Sequence, residues 1–209
     1  MLRKSYLSVA KLSRTEFEEK RSKFITTVKP VDSEADAIAF LNAVRSEFRL
    51  ANHNVYAYYT SNPVRCKRFS DDGEPQGTAG KPILNVIEKS NLEDIAIVVT
   101  RYFGGTLLGA AGLTRAYGRA ASMGTEEAGV VKYTLCDDIH IMTSYPMYNI
   151  IKNEIDKSGI FVKNLEYGLD VELIVQAEAG ISADFIKNVM DLTSGAAIIE
   201  KAGISYSIV

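Results

Sequence analysis

Residues 95–119 read IAIVVTRYFGGTLLGAAGLTRAYGR. Ile95–Val99 is a short continuous apolar run, the pattern of a buried strand. Gly104 and Gly105 follow, then an Ala-rich segment that tends to helix over 107–128 and should begin near Leu108. A strand, two glycines and a helix in succession permit close backbone approach to a ligand. The spacing is not G-x-G-x-x-G, so no dinucleotide fold is read from it. Arg101, Arg115 and Arg119 add positive charge, and Tyr102, Phe103 and Tyr117 are aromatics that stack on bases or pack in a core. Gly109 and Gly112 lower helix stability and point to tight packing or a close neighbour.

Upstream, TEFEEKRSKFITTVKP reads as a strand preceded by charged residues. Ser33 and Asp36 form a capping pattern ahead of a helix whose apolar face is Ala37, Phe40, Leu41, Val44 and Phe48. NVYAYYT (54–60) alternates as a half-buried strand, and 66–70 is placed to pair with it. Pro82 suits the first turn of a further helix. Downstream, the chain reads as strand 131–142, helix 145–157, strand 160–167, strand 171–179, a helix marked by Ile181, Phe185, Val189 and Leu192, and strand 196–208. That order is βαββαβ, the ferredoxin-like arrangement. The fold class is therefore α+β, with a domain at 1–132 and a second at 133–209.

Bulk properties narrow the function. The chain has 209 residues, 46% hydrophobic and 24% charged, as in an ordinary soluble protein. No run approaches a membrane span, and MLRKSYLSVAKLSR has charge but no apolar core of a secretory signal, so the expectation is cytoplasmic. Cys66 and Cys136 have no CxxC or Cys/His context, which argues against structural zinc and against a disulfide framework. Residues 133–209 hold five basic and eleven acidic residues, a net of −6, leaving 19 basic and 15 acidic and a net of +4 in 1–132. A basic first half points to an anionic partner, nucleic acid included, and an acidic second half to a protein partner.

The densest chemistry lies in FSDDGEPQGTAGK, residues 69–81. It is not a phosphate loop of the G-x-x-x-x-G-K-[ST] type, because Pro75 stands where glycine is needed and Pro82 where the hydroxyl is needed. Asp71, Asp72 and Glu74 are hard-oxygen candidates for a metal, without the spacing of a calcium loop. His53 with Asp72 and Glu74 is the candidate acid/base set. As plain structure, Asp72-Gly73 is a turn, Glu74-Pro75 is extended, and Thr78 is placed to cap the helix that Pro82 opens, with amides near Gly77 and Gly80 free to take an anion. His140 falls in a strand pattern and reads as a surface or satisfied histidine.

Taken together, FSDDGEPQGTAGKPIL and VVTRYFGGTLLGAAGLTRAYGRA closely resemble the paired motif of the Impact family in its bacterial form, along essentially the whole chain. The resemblance implies a first domain like the second domain of a small-subunit ribosomal protein, also seen in elongation factor G. It implies a second domain similar to a C-terminal domain of elongation factor G. Eukaryotic members are translation regulators that compete for an activator of an initiation-factor kinase through an additional N-terminal domain, and this chain starts directly with the shared domain. The motif carries over His53, Asp71, Asp72, Glu74, Thr78, Gly80, Lys81, Arg101, Tyr102, Gly104, Gly105 and Arg115. Members often have cysteine two residues after the motif histidine; here Val55 stands there, so no cysteine-based mechanism is implied.

The reading that follows is a translation-associated protein that binds RNA or the ribosome through its first domain. Lys81, Arg101 and Arg115 would take phosphates, Tyr102 would stack, and the turns with Thr78 and Gly80 and with Gly104 and Gly105 would lend amides. The second domain would dock a protein. The alternative is an enzyme or binding protein for a phosphorylated small molecule, using the acidic turn 71–74 and His53. The expectation leans to a binding protein rather than an enzyme, without a cofactor, and sets no oligomeric state.

Overall fold

The computed structural model describes residues 3–208, which divide into two compact units. One runs from Tyr6 to Lys132; the other holds the residues up to Ser5 and those from Tyr133 onward.

The first unit contains all but the first residue of β1 (Ser5–Val9), then β2 (Ser13–Glu19), β3 (Ser22–Pro30), α1 (Glu34–Glu47), β4 (His53–Thr60), β5 (Cys66–Ser70), α2 (Gly80–Lys89), β6 (Ile95–Tyr102) and α3 (Ala110–Ala128). An antiparallel sheet runs in the order β2-β3-β6-β4-β5. β6 is its central strand, which is why Ile95–Val99 is apolar without alternation. Ala96 and Val98 face α1 with Tyr58, beneath Ala37, Phe40, Leu41 and Val44. Ile95, Ile97 and Val99 face α2 and α3, beneath Ile83, Ile87, Leu113, Tyr117 and Ala120. Each fully buried side chain of this kind contributes about 1.5–3 kcal/mol. Ser33 caps α1, its side chain accepting from the Asp36 amide at 3.2 Å.

Three local expectations are corrected. The charged stretch before the 22–30 strand is itself β2, joined to β3 by a two-residue turn at Lys20 and Arg21, both with positive φ. That turn lacks the Asn or Gly usually found at such positions, so the hairpin is silent in the sequence. α3 begins at Ala110, because Gly109 adopts φ +72 as its N-cap and lies outside the helix. Gly109 has open space, Gly112 does have a close neighbour, with an added Cβ 3.1 Å from the Leu108 Cβ, and the tightest helical approach is at Gly124, where an added Cβ would stand 2.6 Å from a Thr26 methyl and 2.8 Å from a Val28 methyl.

The second unit follows through β7 (Val130–Thr143), which it holds from Tyr133 onward, α4 (Tyr145–Ser158), β8 (Phe161–Tyr167), β9 (Val171–Glu178), α5 (Ser182–Leu192) and β10 (Ile198–Ile208). Its antiparallel strands lie in the order β10-β7-β9-β8. Alternation assigns Ile139, Ile141, Leu173 and Val175 to one sheet face, where they pack on Ile151, Ile155, Phe185 and Val189 of the two helices. His140 lies on the opposite face, its Nε2 3.5 Å from Glu172 on the neighbouring strand. Both units mix helices with antiparallel sheet, so the chain is α+β. No helix of the described residues is long and apolar enough to cross a membrane.

Candidate functional site

The first unit gathers His53, Glu74 and Arg101 at one end of its sheet. Register does half of this: His53 and Arg101 are directly opposed on β4 and β6, so their side chains leave the same face as neighbours. The acidic turn does the rest. Asp72 and Gly73 both take positive φ, reversing the chain after β5 so that Glu74 enters the structure. Its Oε1 accepts from Arg101 Nη1 at 2.6 Å and from the Tyr117 hydroxyl at 2.7 Å, and His53 Nε2 lies 3.8 Å away. The Glu74 and Arg101 side chains are only 3% and 6% exposed. Arg101 Nη2 donates to Ser22 Oγ at 3.2 Å, and its Nε is buried without a partner. The guanidinium also lies 5.5 Å from the ring centres of Phe24 and Phe103.

This cluster forms one wall of a cleft of roughly 370 Å³. Pro75, Phe103, Leu107, Leu108 and Leu113 supply its apolar side, with Asn52, Gly109 and Ala110 at its rim. His53 Nδ1 is 2.8 Å from the Asp72 carbonyl. A carbonyl only accepts, so Nδ1 carries a hydrogen, and Nε2 faces the Glu74 carboxylate. Burial, then the Glu74 charge and hydrogen bond, push the Tyr117 phenol far above its usual range. Tyr117 is therefore a neutral donor, and it packs edge-on to Phe24 at 5.4 Å as a core residue.

The other motif acids are structural. Asp71 spans the N-terminus of α2: Oδ2 accepts from the Gly77 amide at 2.8 Å, and Oδ1 from Ala79 at 3.0 Å and Gly80 at 2.8 Å. The anion that this turn was expected to take is thus its own carboxylate. Thr78 does not cap the helix; its hydroxyl donates to the Pro75 carbonyl at 2.6 Å. Asp72 accepts from the Asn54 amide at 2.6 Å and lies 3.6 Å from Arg45, so it holds the turn and, through its carbonyl, His53. Asp71, Asp72 and Glu74 face three different sets of partners, and no group of three metal-ligating residues gathers among the described residues.

The residues assigned to phosphate do not converge. Tyr102 follows Arg101 on β6 and so points to the other sheet face. Lys81 is exposed on α2, 3.5 Å from Glu88. Arg115 is exposed on α3 beside Glu19, Lys20 and Arg119. Gly104 and Gly80 do allow close approach, but to the chain itself: an added Cβ would stand 1.9 Å from the Arg21 carbonyl oxygen or 2.7 Å from that of Ser70. Gly105 has open space and φ +81. Val55 is fully buried in the core, so a side chain there does not reach the cleft. Burial raises both cysteine thiols, Cys66 and Cys136, above their usual range. Ser22, Asn52 and the leucines of 107–113 complete the site; the leucines lie within the second quoted motif and Asn52 precedes His53, while Ser22 carried no signal in the sequence.

Residues 20–124 match the Impact N-terminal domain, and 143–196 match a domain of unknown function, DUF1949. The chain belongs to the Impact family. It is 35% identical to the IMPACT family member YvyE of Bacillus subtilis, over 97% of this chain and 93% of that one. It is 33% identical to the family member YigZ of Escherichia coli, over 85% and 88%. A protein IMPACT homolog of Dictyostelium discoideum is 39% identical over 44% of this chain and 27% of its own. A crystal structure of a hypothetical protein, 32% identical, superposes with a TM-score of 0.62 over 95% of this chain and 97% of its own.

Proposed function

We propose that the first unit is a ligand-binding unit whose working surface is the cleft beside His53, Glu74 and Arg101. The observation that carries this is a carboxylate and a guanidinium held in the wall of an open, largely apolar cleft. Burying such a pair is costly against an apolar replacement, and its place in a cavity wall supports a role in recognition. The His53 ring, held at Nδ1 by the Asp72 carbonyl, presents Nε2 to the Glu74 carboxylate in the cleft wall, a polar pair that a ligand can meet. Leu107 is 81% exposed at the rim, so Leu107→Glu blocks the cleft without disturbing the core. Ligand-observed NMR against a library of phosphorylated, carboxylate and amine metabolites should find binders for the wild type that Leu107→Glu loses. Binders retained equally by the variant, or none at all, would overturn the reading.

A second reading keeps the protein with the translation machinery in the cytoplasm. Its supports are the resemblance to domains of translation factors, the +4 balance of residues 1–132 and the exposed Lys81 and Arg115. The βαββαβ order of the second unit and its −6 balance support a role docking a protein. In this reading Arg101 shapes the unit, while Lys81 and Arg115 meet RNA phosphate. A ribosome gradient at low and high salt tests it: co-migration lost at high salt is expected, and protein at the top of both gradients would contradict it.

A further inference from the structure

A second hollow, of roughly 280 Å³, lies where the turn between β2 and β3 meets α3. Lys20, Arg115 and Arg119 line it over Leu108, Gly112 and Ala116, and Glu19 is the acid of its wall. Among the described residues Lys20 and Arg115 make no ion pair. Arg119 Nη1 stands 3.9 Å from Glu19, beyond hydrogen-bond distance. Three exposed cations thus face one loosely engaged carboxylate. Local structure does not account for them. Arg115 and Arg119 are one turn apart on α3, where like charges repel. Lys20 takes φ 47 in a two-residue turn, a position that favours Asn or Gly. Arg119 is also held in place. Its guanidinium lies over the Phe17 ring at 4.5 Å, and Phe17 is stacked on the buried Phe24 at 5.1 Å. A guanidinium seated by its face keeps its N–H edges for a phosphate.

We propose that Lys20, Arg115 and Arg119 form a surface that takes the phosphate backbone of a single RNA strand. Three exposed cations drawn from a turn and a helix suit a chain of phosphates better than one enclosed phosphate does. This rests on the second reading above and adds the surface on which the RNA lies, with two cations that reading does not use. The charges can be removed without harming the local structure. Asn favours the turn position of Lys20, and Gln is as good a helix former as Arg at 115 and 119. The triple variant Lys20→Asn, Arg115→Gln, Arg119→Gln therefore separates loss of charge from loss of fold.

The test measures binding of a short fluorescent oligouridylate to the full chain over a salt series, with uridine monophosphate and phosphatidylglycerol vesicles as competitors. A charge-matched control removes three exposed lysines of α4 and α5, Lys152→Gln, Lys157→Gln and Lys187→Gln. The wild type and the control should bind the oligouridylate alike. The triple variant should bind about tenfold more weakly or worse, with no loss in unfolding midpoint. Its plot of log affinity against log salt should flatten by about 2, three contacts at about 0.7 each. Binding that the triple variant keeps, or that the control loses equally, would overturn the surface and leave the RNA reading standing. Competition by uridine monophosphate as effective as that of the strand, or stronger competition by the vesicles, would overturn the strand as its occupant. No binding by the wild type at low salt would overturn both the surface and the RNA reading.

Discussion

Arg101 and Glu74 are joined at 2.6 Å between residues 27 apart in sequence, with almost none of either side chain in water. The pair links the central strand to the acidic turn, so it is both a structural tie and a wall of the cleft. Removing one partner leaves a buried charge, which costs about 3–5 kcal/mol. Glu74→Leu and Arg101→Met should each lower stability by that amount in urea unfolding. The double variant should recover most of it. A double variant as unstable as the sum of the two would show that the pair is not coupled.

Asp71 acts on α2 as a cap supplied from eight and nine residues away. Asp71→Ala should cost about 1–2 kcal/mol and speed hydrogen exchange at the Ala79 and Gly80 amides. Exchange unchanged at those two amides would contradict the assignment.

Gly104 and Gly105 should separate sharply. Gly104→Ala drives a methyl into the Arg21 backbone, and the shift it forces should cost more than about 3 kcal/mol. Gly105→Ala meets no atom but keeps a positive φ, which should cost about 1 kcal/mol. Comparable unfolding midpoints for the two variants would show that the Arg21 approach relaxes freely.

Acid should weaken the second unit. The Ser182 hydroxyl and Lys201 hold Asp137 below the usual carboxylate range. Burial raises Asp138, but Lys163, Ser205 and Gln176 outweigh it and hold the net value below that range. A lowered folded-state value gives stability that is present above the ordinary carboxylate pKa, about 3.9, and lost as pH falls through the folded-state value. The paired change Asp137→Asn with Asp138→Asn should flatten the acid limb of the stability–pH curve. An unaltered acid limb would place the acid sensitivity elsewhere.

Much of the architecture was legible because local patterns agreed with the tertiary environment. Ile95–Val99 lacks alternation because both faces of β6 are covered, and the βαββαβ order of the second unit follows from clean changes of period. The Ser33 cap was visible because its partner is three residues away. What was hidden depends on distance in sequence. The Asp71 cap, the Tyr117 donor and the Ser22 acceptor join residues brought together only by folding. The paired motif holds Glu74 and Arg101 of the cleft wall, but does not show how its acids divide. Asp71 and Asp72 shape the turn, while Glu74, one residue past Gly73, turns inward.

The central claim is that the cleft beside His53, Glu74 and Arg101 is the surface through which the first unit works. Its most direct test is amide NMR of the labelled wild-type protein with two additions: the small-molecule fraction of a cell extract, and ribosomal RNA fragments. Shifts confined to Asn52, His53, Phe103 and residues 109–113 on adding the small-molecule fraction are predicted. No shift in those residues with the small molecules, and shifts at Lys81 and Arg115 with RNA alone, would contradict the account.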